Sequence, residues 1–379
     1  MTTLTATWHD WLLEERRRRE LAGLQRALRP LGAEDSDIDL AGNDYLGLSR
    51  HPAVTEAAAD AARRWGAGAR ASRLVTGTLA LHQELEDELA VFLDQPAALV
   101  LSTGYHANLA VVTALASRGR VISDAHVHAS LIDGCRLARA TVQVTAHNDV
   151  DAVADALAAS TDERTLILVE SIYSVLGDAA PLRELATLAV EHDALLVVDE
   201  AHAIGVRGPG GRGLVHELGL NGHPNLVLTA TLSKSFAAQG GAVLAPLPIL
   251  DHLVNVARPF IFDTGLAPAA CAGAQAALRL LRAEPERPAT IRRRTRELAR
   301  RLDVAAPDGA VLSVPMPSPQ AALAAQAAIG AEGIRVACFR PPSVPDGVSR
   351  LRITVNAGLD DATWEHAVTA LAEIAGRFR

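Results

Sequence analysis

Between about residue 95 and residue 245, short apolar runs alternate with stretches of helical periodicity, a rhythm that very few folds accommodate. The runs are Ala98 to Leu101, Arg120 to Ser123, Val142 to Val144, Leu166 to Val169, Leu195 to Val198 and Leu226 to Leu228. Strands spaced by helices build a mainly parallel central sheet covered by those helices, an α/β fold. Leu81, Leu85, Leu89 and Phe92 recur at helical spacing behind Thr78, which is the predicted N-cap. Ligands of such sheets gather at the carboxyl ends of the strands. Polar or glycine residues follow the runs there: Ser102-Thr103-Gly104, Asp124 with His126 and His128, Glu170 to Ser174, Asp199 to His202, and Thr229 to Lys234. They should converge on one crevice.

The last hundred residues follow another pattern. An arginine-rich helical stretch around Arg292 to Leu302 precedes strand-like pieces at Val311 to Val314, Arg335 to Cys338 and Arg350 to Val355, and a closing helix starts near Ala362. This is the signature of a small α+β domain, completed by the N-terminal helix. A chain of 379 residues exceeds one simple core. The expected organisation is an N-terminal helix and arm over residues 1–43 packing with the small domain, a large α/β domain over 44–275, and the small domain over 276–379.

Composition removes several function classes. The net charge of −8 argues against nucleic-acid binding, and the basic run Arg16 to Arg19 reads as a solvated helix face. Trp8 to Glu20 is studded with Glu and Arg and lacks the apolar run of a signal peptide or membrane helix, so a cytoplasmic location without a membrane partner is expected. Cys135, Cys271 and Cys338 lie far apart without metal-ligand spacing, and the 13 histidines contain no HExxH pair. Inert thiols and no metal are therefore expected. The glycine-rich stretch Gly208 to Gly213 lacks the lysine of a phosphate-binding P-loop and reads as a turn.

One count is more informative than these. Of the 36 basic residues, Lys234 is the single lysine. Arginine and lysine both serve a surface charge, but a guanidinium stays protonated and cannot condense with an aldehyde. Lys234 thus stands where chemistry would forbid replacement; its chance survival in an arginine-biased chain is the competing reading. Asp199 ends the run LLVVDEAH, where a buried carboxylate can pair with a protonated ring nitrogen, although a helix cap is the commoner use of such a residue. His202 and Ser174 can reach a phenolic oxygen. Ser102 to Tyr105 lie between a strand and a helix, where backbone N–H groups greet a phosphate and Gly104 permits close approach. Thr231 and Ser233 bracket the lysine with hydroxyls. His128 can lie over a ring face, with a surface histidine as the competing reading. An amine, a ring-nitrogen partner, phosphate donors and a ring cover are the parts a pyridoxal-phosphate site requires.

Four motifs then carry a resemblance over essentially the whole chain: NDYLGL at Asn43 to Leu48, DEAH at Asp199 to His202, TLSK at Thr231 to Lys234, and RPPSVPDGVSRLRIT at Arg340 to Thr354. In combination they resemble the α-oxoamine synthase family of fold-type I, aspartate aminotransferase-like pyridoxal-phosphate transferases. AHND at Ala146 to Asp149, FIFDTGLAP at Phe260 to Pro268 and the segment FRPPSVP are most similar to the biotin-pathway branch. The resemblance implies pyridoxal 5'-phosphate as cofactor and a homodimer with shared active sites. It implies an acyltransferase joining L-alanine to pimeloyl-CoA, or to pimeloyl-acyl carrier protein, with loss of CO2 and the carrier thiol. Sister activities such as glycine C-acetyltransferase or 5-aminolevulinate synthase stay open, as does a non-catalytic binding subunit of the same fold.

Residue by residue, Lys234 matches the Schiff-base lysine and general base, Asp199 the ring-nitrogen partner, His128 the stacking residue, and Ser174 and His202 the phenolic-oxygen donors. Gly104, Tyr105 and Thr231 match cofactor-phosphate positions, with Thr264 contributed from the other subunit. Arg352 matches the residue that grips an amino-acid carboxylate. Arg26, placed on the first helix, is a candidate for a distal acyl carboxylate, with a solvated arginine as the competing reading. Two departures stand out. Val175-Leu176 replaces the family's usual pattern before Gly177-Asp178, putting local loop packing in question, and Ser235 follows the lysine where glycine is usual.

Overall fold

The computed structural model describes residues 5–22, 24–159, 164–341, 344 and 346–379. Pro342, Ser343 and Pro345 of the FRPPSVP segment lie outside the described residues. The chain divides into two compact units, Met1–Asp37 and Ile38–Arg379. The first carries the helix Ala6–Leu21, which has no buried residue and pairs Arg16 with Glu20 and Arg18 with Glu14 and Glu15. This helix closes at Ala22, whose N–H bonds back to Arg18 and Glu20. Arg26 therefore lies beyond it in irregular chain, and its expected place on the first helix is corrected.

The second unit contains, in chain order, β1 (Ile38–Asp39), β2 (Ala98–Leu101), β3 (Arg120–Asp124), β4 (Thr141–Thr145), β5 (Thr165–Glu170), β6 (Leu195–Asp199), β7 (Leu226–Thr231), β8 (Gly241–Leu244), β9 (Val311–Pro315), β10 (Ile334–Arg335), β11 (Ala337–Phe339) and β12 (Arg350–Thr354). The central sheet has the order β2-β8-β7-β6-β5-β3-β4, with β8 antiparallel to both of its neighbours. Its other adjacent pairs are parallel. Successive side chains of a strand point to opposite faces. Val100, Ile122, Ile167, Val198 and Leu228 accordingly enter one core, while Leu99, Val121, Leu168, Val197 and Val227 enter another. Burial on both faces explains why the strands read as continuous apolar runs rather than as alternating ones.

Six of these seven strands match the expected runs; β8, which starts at Gly241 directly after Gly240, was not among them. The smaller sheet is antiparallel, in the order β11-β12-β9. The piece expected as one strand at Arg335 to Cys338 is divided. Ile334–Arg335 pairs in parallel with β1, and Ala337–Phe339 pairs with β12, with buried Val336 between them. The helix Pro268–Ala283 packs on Pro52–Trp65 and runs through residue 275. Thr78 is not the N-cap expected of the helix that carries Leu81, Leu85, Leu89 and Phe92. Its hydroxyl donates to the Arg73 carbonyl, so the helix Ala80–Leu93 starts one residue later, with His82 Nδ1 accepting the Leu79 N–H.

Cys135 and Cys271 are buried and unbridged, and burial pushes their thiols up to about 11 and about 12. No helix among the described residues is long and apolar enough to cross a membrane.

Candidate active site

The strand order reverses at β3: β4 lies on one side of it, and β5, β6 and β7 follow on the other. Open sheets of this kind form their ligand crevice outside the carboxyl ends at such a switch point. Here a cavity of about 250 Å³ is lined by Gly104 and Tyr105 after β2, His128 after β3, Glu170 ending β5, Asp199 ending β6 with His202 beyond it, and Thr231 ending β7 with Ser233 and Lys234 beyond it. The structure thus brings together seven of the sequence-derived candidates: Gly104, Tyr105, His128, Asp199, His202, Thr231 and Lys234.

Each is placed by local structure. The helix Gly104–Leu115 is capped by Thr103, whose side chain accepts the His106 N–H at 3.0 Å. The N–H groups of its first turn have no acceptor inside the helix, and the dipole favours an anion before them. A Cβ on Gly104 would stand 2.9 Å from Thr231 Cβ, so glycine allows this helix to meet the end of β7. Thr231 and Ser233 hydroxyls lie 2.7 Å apart beside it. The Tyr105 side chain turns outward and donates to Asp133 at 2.6 Å, leaving its backbone to face the crevice.

Both carboxylate oxygens of Asp199 are engaged. Oδ1 accepts the Ala201 N–H at 2.9 Å and Oδ2 accepts from Asn108 Nδ2 at 2.7 Å. The local use of this carboxylate as a backbone acceptor is thus present, and Asp199 also lines the cavity. His128 Nδ1 lies 2.7 Å from Ser130 Oγ and accepts the Ser130 N–H at 3.3 Å, which fixes the ring at the start of the helix Ala129–Ala138. His202 Nδ1 lies 2.7 Å from the buried Tyr45 hydroxyl. Burial drives both imidazoles below their ordinary value, His202 far below, and nearby Lys234 adds to this. Burial also lowers Lys234, opposed by Asp199 and Glu170 and aided by Arg352. A lowered lysine supplies the neutral amine that nucleophilic chemistry needs.

Three candidates are not among the cavity's lining residues. Arg352 is buried on β12, donating from Nε to the Ser174 carbonyl at 2.8 Å and from Nη2 to Asn43 Oδ1 at 3.2 Å. Ser174 is held through its backbone, its N–H donating to Glu170 Oε2 at 3.1 Å. Thr264 is exposed and bridges to Ser72. Arg26 belongs to the first unit.

The two departures find physical answers. Val175 and Leu176 are partly exposed turn residues between fixed points, with Gly177 N–H bonded to Tyr173 and Asp178 bonded to His147 and Asn148. Ser235 is buried and donates to the Ile204 carbonyl at 2.7 Å, over the face of Gly205.

Sequence reasoning missed Asn108 and Tyr45 as supports, and gave Glu170 no role. Glu170 is the partner of Asp199 in the β5–β6 register and its Oε1 is buried without a hydrogen bond. Burial, with Asp199 beside it, raises its carboxyl well above the ordinary range at the cavity wall. A glutamate closing an apolar strand was the available signal.

The donor set suits pyridoxal phosphate: a helix N-terminus and two hydroxyls at a glycine cradle for the phosphate, a carboxylate for the ring nitrogen, an imidazole beside the ring, and one amine. The chain matches the family model "Aminotransferase class I and II" over residues 35–371. It is 53% identical over 366 residues to the 8-amino-7-oxononanoate synthase 1 of Mycobacterium tuberculosis, covering 96% of this chain and 95% of the relative. Among solved structures it is similar to serine palmitoyltransferase from S. paucimobilis with bound PLP-myriocin aldimine, at 30% identity and a TM-score of 0.89 over 99% of each chain. It is also similar to the 8-amino-7-oxononanoate synthase of Francisella tularensis, at 27% identity and a TM-score of 0.77 over 91% of this chain and 98% of that one. With the fold, the cavity and these relatives in agreement, the chain belongs to the aminotransferase class I and II family and, within it, to the α-oxoamine synthases of fold type I.

Proposed function

We propose that this protein is an 8-amino-7-oxononanoate synthase, a pyridoxal 5'-phosphate-dependent acyltransferase of biotin biosynthesis that condenses L-alanine with pimeloyl-CoA or pimeloyl-acyl carrier protein. The observation that carries the reading is the single lysine of the chain standing in one cavity with Asp199, His128 and the Gly104–Thr231 cradle. The full-length relatives at 53% identity fix the branch of the family. We further read the working form as a homodimer in the cytoplasm, with Thr264 serving the site of the other subunit.

When bound here, pyridoxal phosphate supplies an electron sink that accepts charge from the amino-acid Cα. The chain's residues do the rest. Lys234 Nζ would hold the cofactor through its aldehyde carbon and would serve as the base for the Cα proton. Asp199 would keep the ring nitrogen protonated, His128 would cover the ring, and His202 and Ser174 would be the donors for the phenolic oxygen. Backbone N–H groups at Gly104 and Tyr105, with the Thr231 hydroxyl, would hold the phosphate. Arg352 is assigned to the alanine carboxylate and Arg26 to the distal pimeloyl carboxylate. Over the whole reaction Cα loses a proton and bonds to the thioester carbonyl carbon, the C–S bond breaks to release the thiol, the alanine carboxylate leaves as CO2, and Cα regains a proton.

The test is thiol release by cofactor-loaded enzyme over a grid of L-alanine, glycine or L-serine against pimeloyl-CoA, acetyl-CoA or succinyl-CoA. Dominant activity with alanine and pimeloyl-CoA is expected. Activity with glycine alone would transfer the protein to a sister synthase, and no thiol release with any pair would remove the enzymatic reading.

A further inference from the structure

Asn108 sits one turn inside the helix Gly104–Leu115, 3% exposed, at the wall of the cavity. Its amide is fully used. Nδ2 donates to Asp199 Oδ2 at 2.7 Å and to Ser130 Oγ at 2.8 Å, and Oδ1 accepts from the Thr229 hydroxyl at 2.6 Å. The orientation of this amide is forced. A carboxylate only accepts, so the NH2 end must face Asp199, whereas Thr229 can serve either end. Ser130, which takes the second N–H, is the residue that lies 2.7 Å from His128 Nδ1. Helix, β6 and β7 thus meet at one side chain, since Asp199 ends β6 and Thr229 lies on β7.

Resting on the reading of Asp199 as ring-nitrogen partner, we propose that Asn108 is a positioning residue: its amide aims the Asp199 carboxylate at the cofactor ring nitrogen without touching substrate. Alanine at 108 would leave Asp199 Oδ2 with one donor fewer and free to rotate about its remaining bond to Ala201. Aspartate at 108, of the same shape, would replace the donor with a second carboxylate, and two adjacent carboxylates do not both ionise readily. The consequence falls on the ring nitrogen and not on the phosphate cradle.

That selectivity is what the experiment reads. Apo-protein is titrated with pyridoxal phosphate and with its deaza analogue, in which C–H replaces the ring nitrogen, for wild type, Asn108→Ala, Asn108→Asp and Asp199→Ala. Thermal unfolding of each apo-protein checks that it is folded. Loss of a charge-assisted hydrogen bond predicts affinity for pyridoxal phosphate weakened about tenfold or more in both Asn108 variants, with affinity for the analogue within about threefold of wild type. The Asn108→Asp loss should also deepen as pH rises and both carboxylates ionise. Equal weakening for both ligands, or no weakening, in folded Asn108 variants while Asp199→Ala is selective would overturn the inference and leave the function standing. An Asp199→Ala variant that loses both ligands equally would instead overturn the role of Asp199, and this inference with it.

Discussion

At the scale of single residues the account rests on two groups with different tasks. Lys234 is lowered chiefly by burial, which favours the neutral amine, and an arginine in its place would keep a charge there without a nucleophile. Lys234→Ala and Lys234→Arg should therefore both abolish thiol release while the protein stays folded by circular dichroism; normal turnover in either would contradict the assignment. Asp199→Ala should lower both cofactor retention and rate, measured by absorbance after gel filtration and by thiol release, and unchanged values would remove its role. The lysine was legible in the sequence because composition isolated it. Asn108 and Tyr45 were not, because their partners Asp199 and His202 lie 91 and 157 positions away and only the assembled sheet brings them together.

Among the elements, the turn after β5 is held by a partly buried ionic clamp. His147 bridges Asp124, at 3.0 Å, and Asp178, at 2.7 Å, and stacks on His126 with ring centroids 3.9 Å apart. Burial alone would lower His147, but its bonds to the two carboxylates outweigh this and raise it to about 9. For Asp124 burial acts upward, yet bonds from His147, Asn148 and His126 hold it below the ordinary range. The sign for stability follows from linkage. The His147 contribution is complete below its unfolded value of about 6.5 and is lost as pH rises through about 9; the Asp124 contribution is lost on acidification instead. Urea midpoints measured from pH 6 to pH 10 should fall across that upper window in wild type and fall less in His147→Gln. Parallel pH dependences in the two would contradict the clamp. The motif AHND had suggested only a branch of the family, since nothing in its spacing pairs it with Asp178. Thr78 and the divided piece at Arg335 to Cys338 were misread for a related reason: cap choice and sheet partner depend on Arg73 and on β1, both set by tertiary contact.

On the scale of the whole molecule, the sheet was legible because strands buried on both faces announce themselves as apolar runs; β8, no shorter than β2, opens on Gly241 directly after Gly240 and was not among the expected runs. The edge strand next to it is fastened by a buried pair. Arg73 Nη1 reaches Glu86 at 2.9 Å and the Val100 carbonyl at 3.2 Å, and Glu86 accepts the Val100 N–H at 2.8 Å. Arg73→Met strands Glu86 as a buried charge and should cost about 3–5 kcal/mol in urea unfolding. A change below about 1 kcal/mol would mean that β2 does not depend on this pair. The proposed phosphate cradle follows the same strand, since Gly104 comes two residues after β2. What joins fold to chemistry is thus a single amine at the end of β7, and it can be tested directly. The protein is loaded with pyridoxal phosphate, reduced with borohydride, digested and mapped by mass spectrometry. The account predicts one cofactor per chain, fixed on the peptide containing Lys234; a reduced protein without cofactor on that peptide would contradict it.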